Sequence, residues 1–306
     1  MTNRPFKITT LSLCLWIAWA PLQAAAPANW TGWRGPQANG VATDAHPPTQ
    51  WSETNHVQWK VAIPGRGSST PILWDDQVFI LTAIPTGPEA AAETADASGQ
   101  PPDRSERPRR GGGGGGGGMV DRPTRAQQFT VLSFDRKTGK QRWTQSPRTQ
   151  LPHEGHHKDH GFASASPVTD GQRIYVFMGK TGLLAFDMQG QKLWQTSLGI
   201  GSDQTRWGSA SSPTLFEGKV FVNAWDESKQ LIALNKATGD PVWKKDLSKT
   251  GLTYSTPVVA QLNNRSAELI VVLPTQVWGL APQTGEQLWT VNTPMKDSTI
   301  GVPVVA

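Results

Sequence analysis

One nine-residue ending constrains this chain more than any other feature: Asp or Asn, two variable residues, Thr-Gly, three variable residues, then Trp. It runs from Asp135 through Gly139 to Trp143, and again from Asn235 through Gly239 to Trp243. A copy that has lost the acid carries Gly285 and Trp289, and a copy one residue shorter carries Asp187, Gly190 and Trp194. Each copy closes a longer unit that opens on a proline, at Pro71, Pro167, Pro213, Pro257 and Pro303. From Pro167 onward these prolines step by 46, 44 and 46 residues. A repeat of this period dictates the architecture, because each unit must bury its apolar face against the next.

Within each unit the pattern is that of short strands. Thr70, Ser166, Ser212 and Thr256 stand before their prolines, and an apolar strand follows each. A second strand covers Val78–Leu81, Ile174–Phe177, Val220–Asn223 and Leu269–Val272, and a third Val131–Phe134, Leu183–Phe186, Leu231–Leu234 and Val277–Leu280. The Thr-Gly turn then leads to a fourth strand that bears the tryptophan. Four strands in roughly 45 residues predict an all-β chain, a β-propeller of four-stranded antiparallel blades. The inner strands are apolar almost without alternation, as expected where both faces of a blade are covered by its neighbours. Gly139, Gly190, Gly239 and Gly285 suit turns that need positive φ.

Four blades and the start of a fifth are expected. Val57–Val61, with Trp59, reads as a fourth strand without its three predecessors, which in a closed ring completes the last blade. With the unfinished unit at Val302–Ala306, the chain is expected to be part of a ring of seven or eight blades. A four-bladed ring is the alternative, and it leaves the fifth opening unexplained.

Residues 1–26 read as a secretory signal, with Arg4 and Lys7 before the apolar stretch Ile8–Ala20 and small residues at Ala24–Ala26. That stretch is too short for a permanent transmembrane helix. Leu13 precedes Cys14 where a lipoprotein signal has a small residue, so no lipid anchor is expected. Cys14 is the sole cysteine, so the mature chain is held by packing alone in a periplasmic or secreted setting. Residues 27–56 form an N-terminal arm and 57–306 the propeller, interrupted by a Gly/Arg/Pro-rich insertion at 85–126. The insertion includes the run Gly111–Gly118, and its six arginines are matched by six acids; it is read as a disordered tether. The formal charge of +5 and the lack of a basic stripe argue against nucleic acid. A monomer that binds a protein or cell-surface partner is expected.

The stretch Ala233–Trp243 matches the A-x-D-x-x-T-G-x-x-x-W consensus of the pyrroloquinoline-quinone (PQQ) repeat propellers, and the chain resembles that family over about residues 57–306. The family includes quinoprotein alcohol dehydrogenases and BamB. The opening Trp30–Gly40 is similar to the start of secreted members of uncharacterised function. For a dehydrogenase the resemblance implies PQQ held over a tryptophan, a Ca²⁺ ion, a catalytic Asp and a disulfide between adjacent cysteines. The mature chain has no cysteine for that disulfide, and no motif places the Ca²⁺-binding Glu, Asn and Asp. The resemblance specifies fold and is nearly silent on function. A non-catalytic scaffold without cofactor is the leading expectation, a PQQ- and Ca²⁺-dependent oxidoreductase the alternative.

Strand parity locates the site. In an up-and-down blade, the loops leading into first strands and those joining second to third strands emerge on one face. The leading loops carry Arg66, the segment from His153 to His160, Arg206, Trp207 and Tyr254; the others carry Lys180 and Trp225, Asp226 and Glu227. Arg206, Trp207 and Trp225 are therefore candidates for holding a ligand at the channel rim, the indoles either by stacking or as packing. His153, His156, His157 and His160, with Asp159, form the densest cluster of metal-ligating types and are candidates for Zn²⁺ or Cu²⁺. Their spacing matches no established zinc motif, so an ordered structural loop, a metal site and acid–base chemistry all stay open. Arg34, beside Trp33, either caps the channel or fastens the arm.

Overall fold

The computed structural model describes residues 29–43, 45–88, 123–152, 155–157, 159–202, 205–261, 266–296, 301 and 303. The expected signal, the interior of the 85–126 insertion, and all of the fifth unit but Gly301 and Pro303 lie outside these residues.

Among the described residues, sixteen strands form four antiparallel sheets of four. Blade 1 holds β1 (Ile72–Trp74), β2 (Gln77–Thr86), β3 (Ala126–Asp135) and β4 (Gln141–Gln150). Blade 2 holds β5 (Val168–Thr169), β6 (Arg173–Phe177), β7 (Leu183–Asp187) and β8 (Lys192–Thr196). Blade 3 holds β9 (Thr214–Phe216), β10 (Lys219–Ala224), β11 (Gln230–Asn235) and β12 (Pro241–Asp246). Blade 4 holds β13 (Val258–Ala260), β14 (Glu268–Leu273), β15 (Gln276–Leu280) and β16 (Gln287–Asn292). Each sheet is a meander in chain order, the blade of a β-propeller. The β2–β3 ladder runs out to Thr86 opposite Ala126, so both ends of the insertion are strand residues.

The core lies between blades rather than within them. Ile72, Phe79 and Val131 of blade 1 pack with Ile174, Val176 and Phe186 of blade 2. Equivalent clusters join blade 2 to blade 3 and blade 3 to blade 4. This explains the unbroken apolar inner strands: β6 and β7 are buried almost throughout, whereas β8 and β12 are exposed apart from Trp194 and Trp243 and a few half-buried neighbours. Stability in such an array is close to a sum of blade and nearest-neighbour terms.

The recurring ending is a docking device between blades. Asp135 Oδ1 accepts the backbone N–H groups of Lys137 and Thr138 at 3.1 and 2.9 Å and the Thr138 hydroxyl at 2.9 Å. The carboxylate thus closes its own turn, and Gly139 completes it at φ +69°. Asn235 and Asp187 do the same in their blades. Trp143, Trp194 and Trp243 each lie on the turn of the next blade. Trp143 Nε1 donates to the Met188 carbonyl at 3.0 Å, Trp194 to Lys236 at 3.2 Å and Trp243 to Pro282 at 3.0 Å. The turn glycines Gly190, Gly239 and Gly285 have no room for a Cβ beneath those rings. Ser133, Ala185, Ala233 and Gly279 stand opposite the tryptophans in the ladder, next to a register shift that recurs in every blade. The small residue of the consensus is the space the indole needs.

Trp59 obeys the same rule although Val57–Val61 forms no strand. Its Nε1 donates to the Arg136 carbonyl at 2.9 Å, and its ring covers Gly139. It therefore occupies the place that a preceding blade's tryptophan takes on blade 1. Trp289 differs, donating to Glu268 Oε2 of its own blade at 2.6 Å.

Candidate functional site

First strands of successive blades are neighbours, β1 by β5, β5 by β9 and β9 by β13, so they line the inside of the array. The residues before the prolines are tied across them in a relay. The Thr70 N–H donates to Ser166 Oγ at 2.8 Å, Ser166 N–H to Ser212 Oγ at 3.0 Å, and Ser212 N–H to Thr256 Oγ1 at 3.0 Å. A proline cannot supply an N–H, and the preceding residue is held extended, so its N–H and hydroxyl make the link. The recurrent Ser or Thr before proline is thus the inner seam between blades.

Above this seam opens a cavity of about 260 Å³ bounded by leading-loop residues of all four blades. Ser166, Ser212 and Thr256 form part of its wall with Trp33, Trp207 and Tyr254, while His157, His160, Ser164, Ser68 and Ala210 complete it. Trp207 and Tyr254 are stacked at 6.0 Å and 24°, and His157 meets Trp207 edge-on at 5.2 Å. Trp33 arrives from the arm, which pairs with blade 1 through Trp30 and Leu73 and accepts the Thr169 N–H of blade 2 at Thr31, 2.8 Å away. Arg34 covers the outer face of this indole, its guanidinium 4.6 Å from the ring.

The loop that presents Trp207 is fastened at three points. Lys180 Nζ donates to Ser202 Oγ at 2.7 Å, Thr205 and Tyr254 share a hydroxyl contact of 3.2 Å, and Ser209 Oγ donates to Glu227 Oε1. Arg206 adopts φ +53° just before the indole, a turn that aims its own side chain outward. Asp226 and Glu227 are buried, and Lys180 Nζ lies 3.7 Å from Asp226 Oδ2. Burial, aided by Asp226, pushes the Glu227 carboxyl up to about 7 against the opposing pull of Ser209 and Lys180.

Of the residues singled out by sequence, Trp207 reaches the cavity and Arg206 does not line it. Trp225 is corrected to a core residue: it begins the helical turn α1 (Trp225–Ser228), its Nε1 donates to the Leu247 carbonyl at 3.2 Å, and it packs between blades 3 and 4. A short helix replaces the expected open loop and turns the indole inward. The histidines are divided. His157 and His160 face the cavity, their rings 5.8 Å apart, whereas His156 faces a smaller cavity and meets Phe162 edge-on at 4.7 Å. Asp159 is exposed, 3.7 Å from His157 Nδ1, and His153 lies outside the described residues. Among the described residues no three His, Cys, Asp or Glu side chains converge as metal ligands. Partial desolvation at the cavity edge lowers the His160 pKa although the side chain stays exposed, with His157 and His156 adding to the effect and Asp159 opposing it. Sequence reasoning missed the hydroxyl seam, whose only signal was the recurrence of Ser or Thr before proline, and it named Trp33 without placing it on a cavity wall.

Residues 127–303 match the profile of the PQQ-repeat family described as outer membrane protein assembly factor BamB. The chain belongs to that family. A quinoprotein ethanol dehydrogenase of Pseudomonas aeruginosa is 27% identical over 191 residues, covering 52% of this chain and 29% of that protein. BamB of Burkholderia pseudomallei is 30% identical over 137 residues, covering 42% of this chain and 30% of that protein. The chain thus spans under a third of the length of either relative. Among solved structures, quinohemoprotein alcohol dehydrogenase from Comamonas testosteroni superposes with a TM-score of 0.51 at 12% identity, over 90% of this chain and 42% of that one. That likeness shows the fold alone. No helix among the described residues is long and apolar enough to cross a membrane.

PQQ-repeat relatives with a dehydrogenase name raise the question whether this cavity fits PQQ with Ca²⁺. The quinone carries three carboxylates and calls for cationic or N–H donors, while Ca²⁺ takes six to eight oxygen ligands rich in carboxylate. Among the described residues the cavity wall holds no Asp, Glu, Asn, Gln, Lys or Arg. The described part of this wall does not supply the donor set that pair calls for.

Proposed function

We propose that this PQQ-repeat propeller is an extracytoplasmic binding and scaffold protein, not a catalyst, and that it engages a protein or cell-surface partner through the rim carrying Trp207. The observation that carries this reading is the channel cavity. All four blades contribute to it, its wall is aromatic and hydroxylic, and the residues that shape it are fastened from beneath. Such a surface recognises and holds; among the described residues its wall carries no carboxylate pair and no three converging metal ligands of the kind that hydrolytic or quinone chemistry draws on. Family membership supports the same reading, since BamB is by name an assembly factor. The signal-like leader supports a periplasmic or secreted location.

Photo-crosslinking in the native compartment tests the proposal. A benzophenone side chain at Arg206, exposed on the rim, is expected to capture a discrete partner. The same group at Ala237, exposed in a Thr-Gly turn on the opposite face, is expected to capture none. Equal labelling at both positions contradicts the rim as the binding face.

A further inference from the structure

Ser166, Ser212 and Thr256 are buried to 2, 4 and 7% exposure, and each hydroxyl oxygen already accepts a backbone N–H in the seam. None of the three hydroxyl protons has an acceptor among the described residues. A hydroxyl has one proton to donate, so these residues hold three unspent donors on the wall of one cavity. Buried donors are ordinarily satisfied. Trp207 adds a fourth, because its Nε1 makes no hydrogen bond among the described residues, whereas the repeat tryptophans all find acceptors.

A ligand that fills this space must satisfy several donors, and it must lie against the aromatic wall formed by Trp207 and Tyr254. It must also be uncharged. Among the described residues no Lys or Arg lines the cavity, so an anion there would be desolvated without a counter-charge, and His160 is shifted toward its neutral form. An apolar guest would leave the hydroxyl donors stranded. A sugar ring meets all these demands: an apolar C–H face for the indole and phenol, and oxygens around its edge that accept from hydroxyls. The 260 Å³ volume lies just under the roughly 300–1,000 Å³ of common small-ligand sites, the scale of a short saccharide end rather than a polymer threaded through.

We propose that the channel cavity binds a neutral saccharide, which packs against the aromatic side of the cavity at Trp207, beside Tyr254, and accepts hydrogen bonds from Ser166, Ser212 and Thr256. This rests on the binding reading above and deepens it, because it makes the cell-surface partner a glycan.

The test titrates the protein with glucose, galactose, mannose, N-acetylglucosamine, maltose, cellobiose and chitobiose, followed by calorimetry and tryptophan fluorescence. At least one sugar is expected to bind with a Kd of about 1 mM or tighter. Trp207→Ala should weaken it at least tenfold, and Trp207→Phe should restore most of the affinity. Ser212→Ala should weaken it as well, with Ser212→Thr rescuing. Melting curves for every variant separate lost binding from lost folding, and Trp207→Phe and Ser212→Thr keep the test valid where an alanine variant fails to fold. Absence of binding across the panel, binding indifferent to Trp207, or capture of adenosine or PQQ in place of sugars overturns the proposal. Sugar binding absent with rim crosslinks intact sinks the saccharide alone; sugar binding absent together with PQQ-dependent turnover sinks the scaffold reading too.

Discussion

Consider Gly239→Ala. The turn holds Gly239 at φ +80°, and a Cβ there would lie 2.6 Å from Trp194 Cε3 and 2.7 Å from Trp194 Cδ2. The left-handed backbone costs an L-residue roughly 1–2 kcal/mol. Displacing a packed indole adds about 1–3 kcal/mol for overpacking. The sum is about 3 kcal/mol, a large part of the ~5–15 kcal/mol that holds a domain folded. Gly218→Ala is the matched control. Its φ is +82° with nothing within 4 Å, so only the backbone part, about 1 kcal/mol, is expected. Urea denaturation followed by far-ultraviolet circular dichroism reads both. A double-mutant cycle isolates the packing part: in a Trp194→Leu background, Gly239→Ala should fall to about 1 kcal/mol, a coupling of about 1–3 kcal/mol. Equal costs at Gly239 and Gly218, or strict additivity with Trp194→Leu, would refute blade-to-blade docking as the reason for the glycine.

Ser212→Ala should destabilise the fold by roughly 1–3 kcal/mol because it strands the Ser166 N–H; faster hydrogen exchange at that amide is the readout, and unchanged protection contradicts the seam. Glu227 gives a pH signature. Its folded pKa, about 7, lies above its ordinary 4.5, so the folded state binds the proton more tightly. The associated stability is complete below about pH 4.5, drains away up to pH 7 and is flat above, a change of roughly 3 kcal/mol. Glu227→Gln lacks this fall, so its advantage over the parent should grow from near zero at pH 4 to that amount at pH 8. Parallel stability curves would contradict the assignment.

The fold was legible in the sequence because its signals are local and repeated. Asp135, Gly139 and Trp143 lie within one hairpin, and strand parity alone put Trp207 and Tyr254 on the same face. What those residues touch was not legible, since it depends on the register between blades. The role of the glycine at 239 is set by Trp194, 45 positions earlier, and that of Ser212 by Ser166 and Thr256. For Trp225 and the histidines, which of the open readings applies was not legible, for one shared reason. Trp225 is turned inward by one helical turn, and the histidines leave an irregular loop in different directions, which no spacing rule encodes. Trp33 was noticed only as part of a motif, because its place on the cavity arises from the arm crossing from blade 1 to blade 2.

The central claim is that this PQQ-repeat propeller binds at its channel without quinone chemistry. The most direct measurement is alcohol-dependent dye reduction by the intact gene product supplied with PQQ and Ca²⁺, with cofactor absorbance followed in parallel. The account predicts reduction at the background rate and no perturbation of the quinone spectrum. Turnover that requires PQQ and disappears in Trp207→Ala would contradict it.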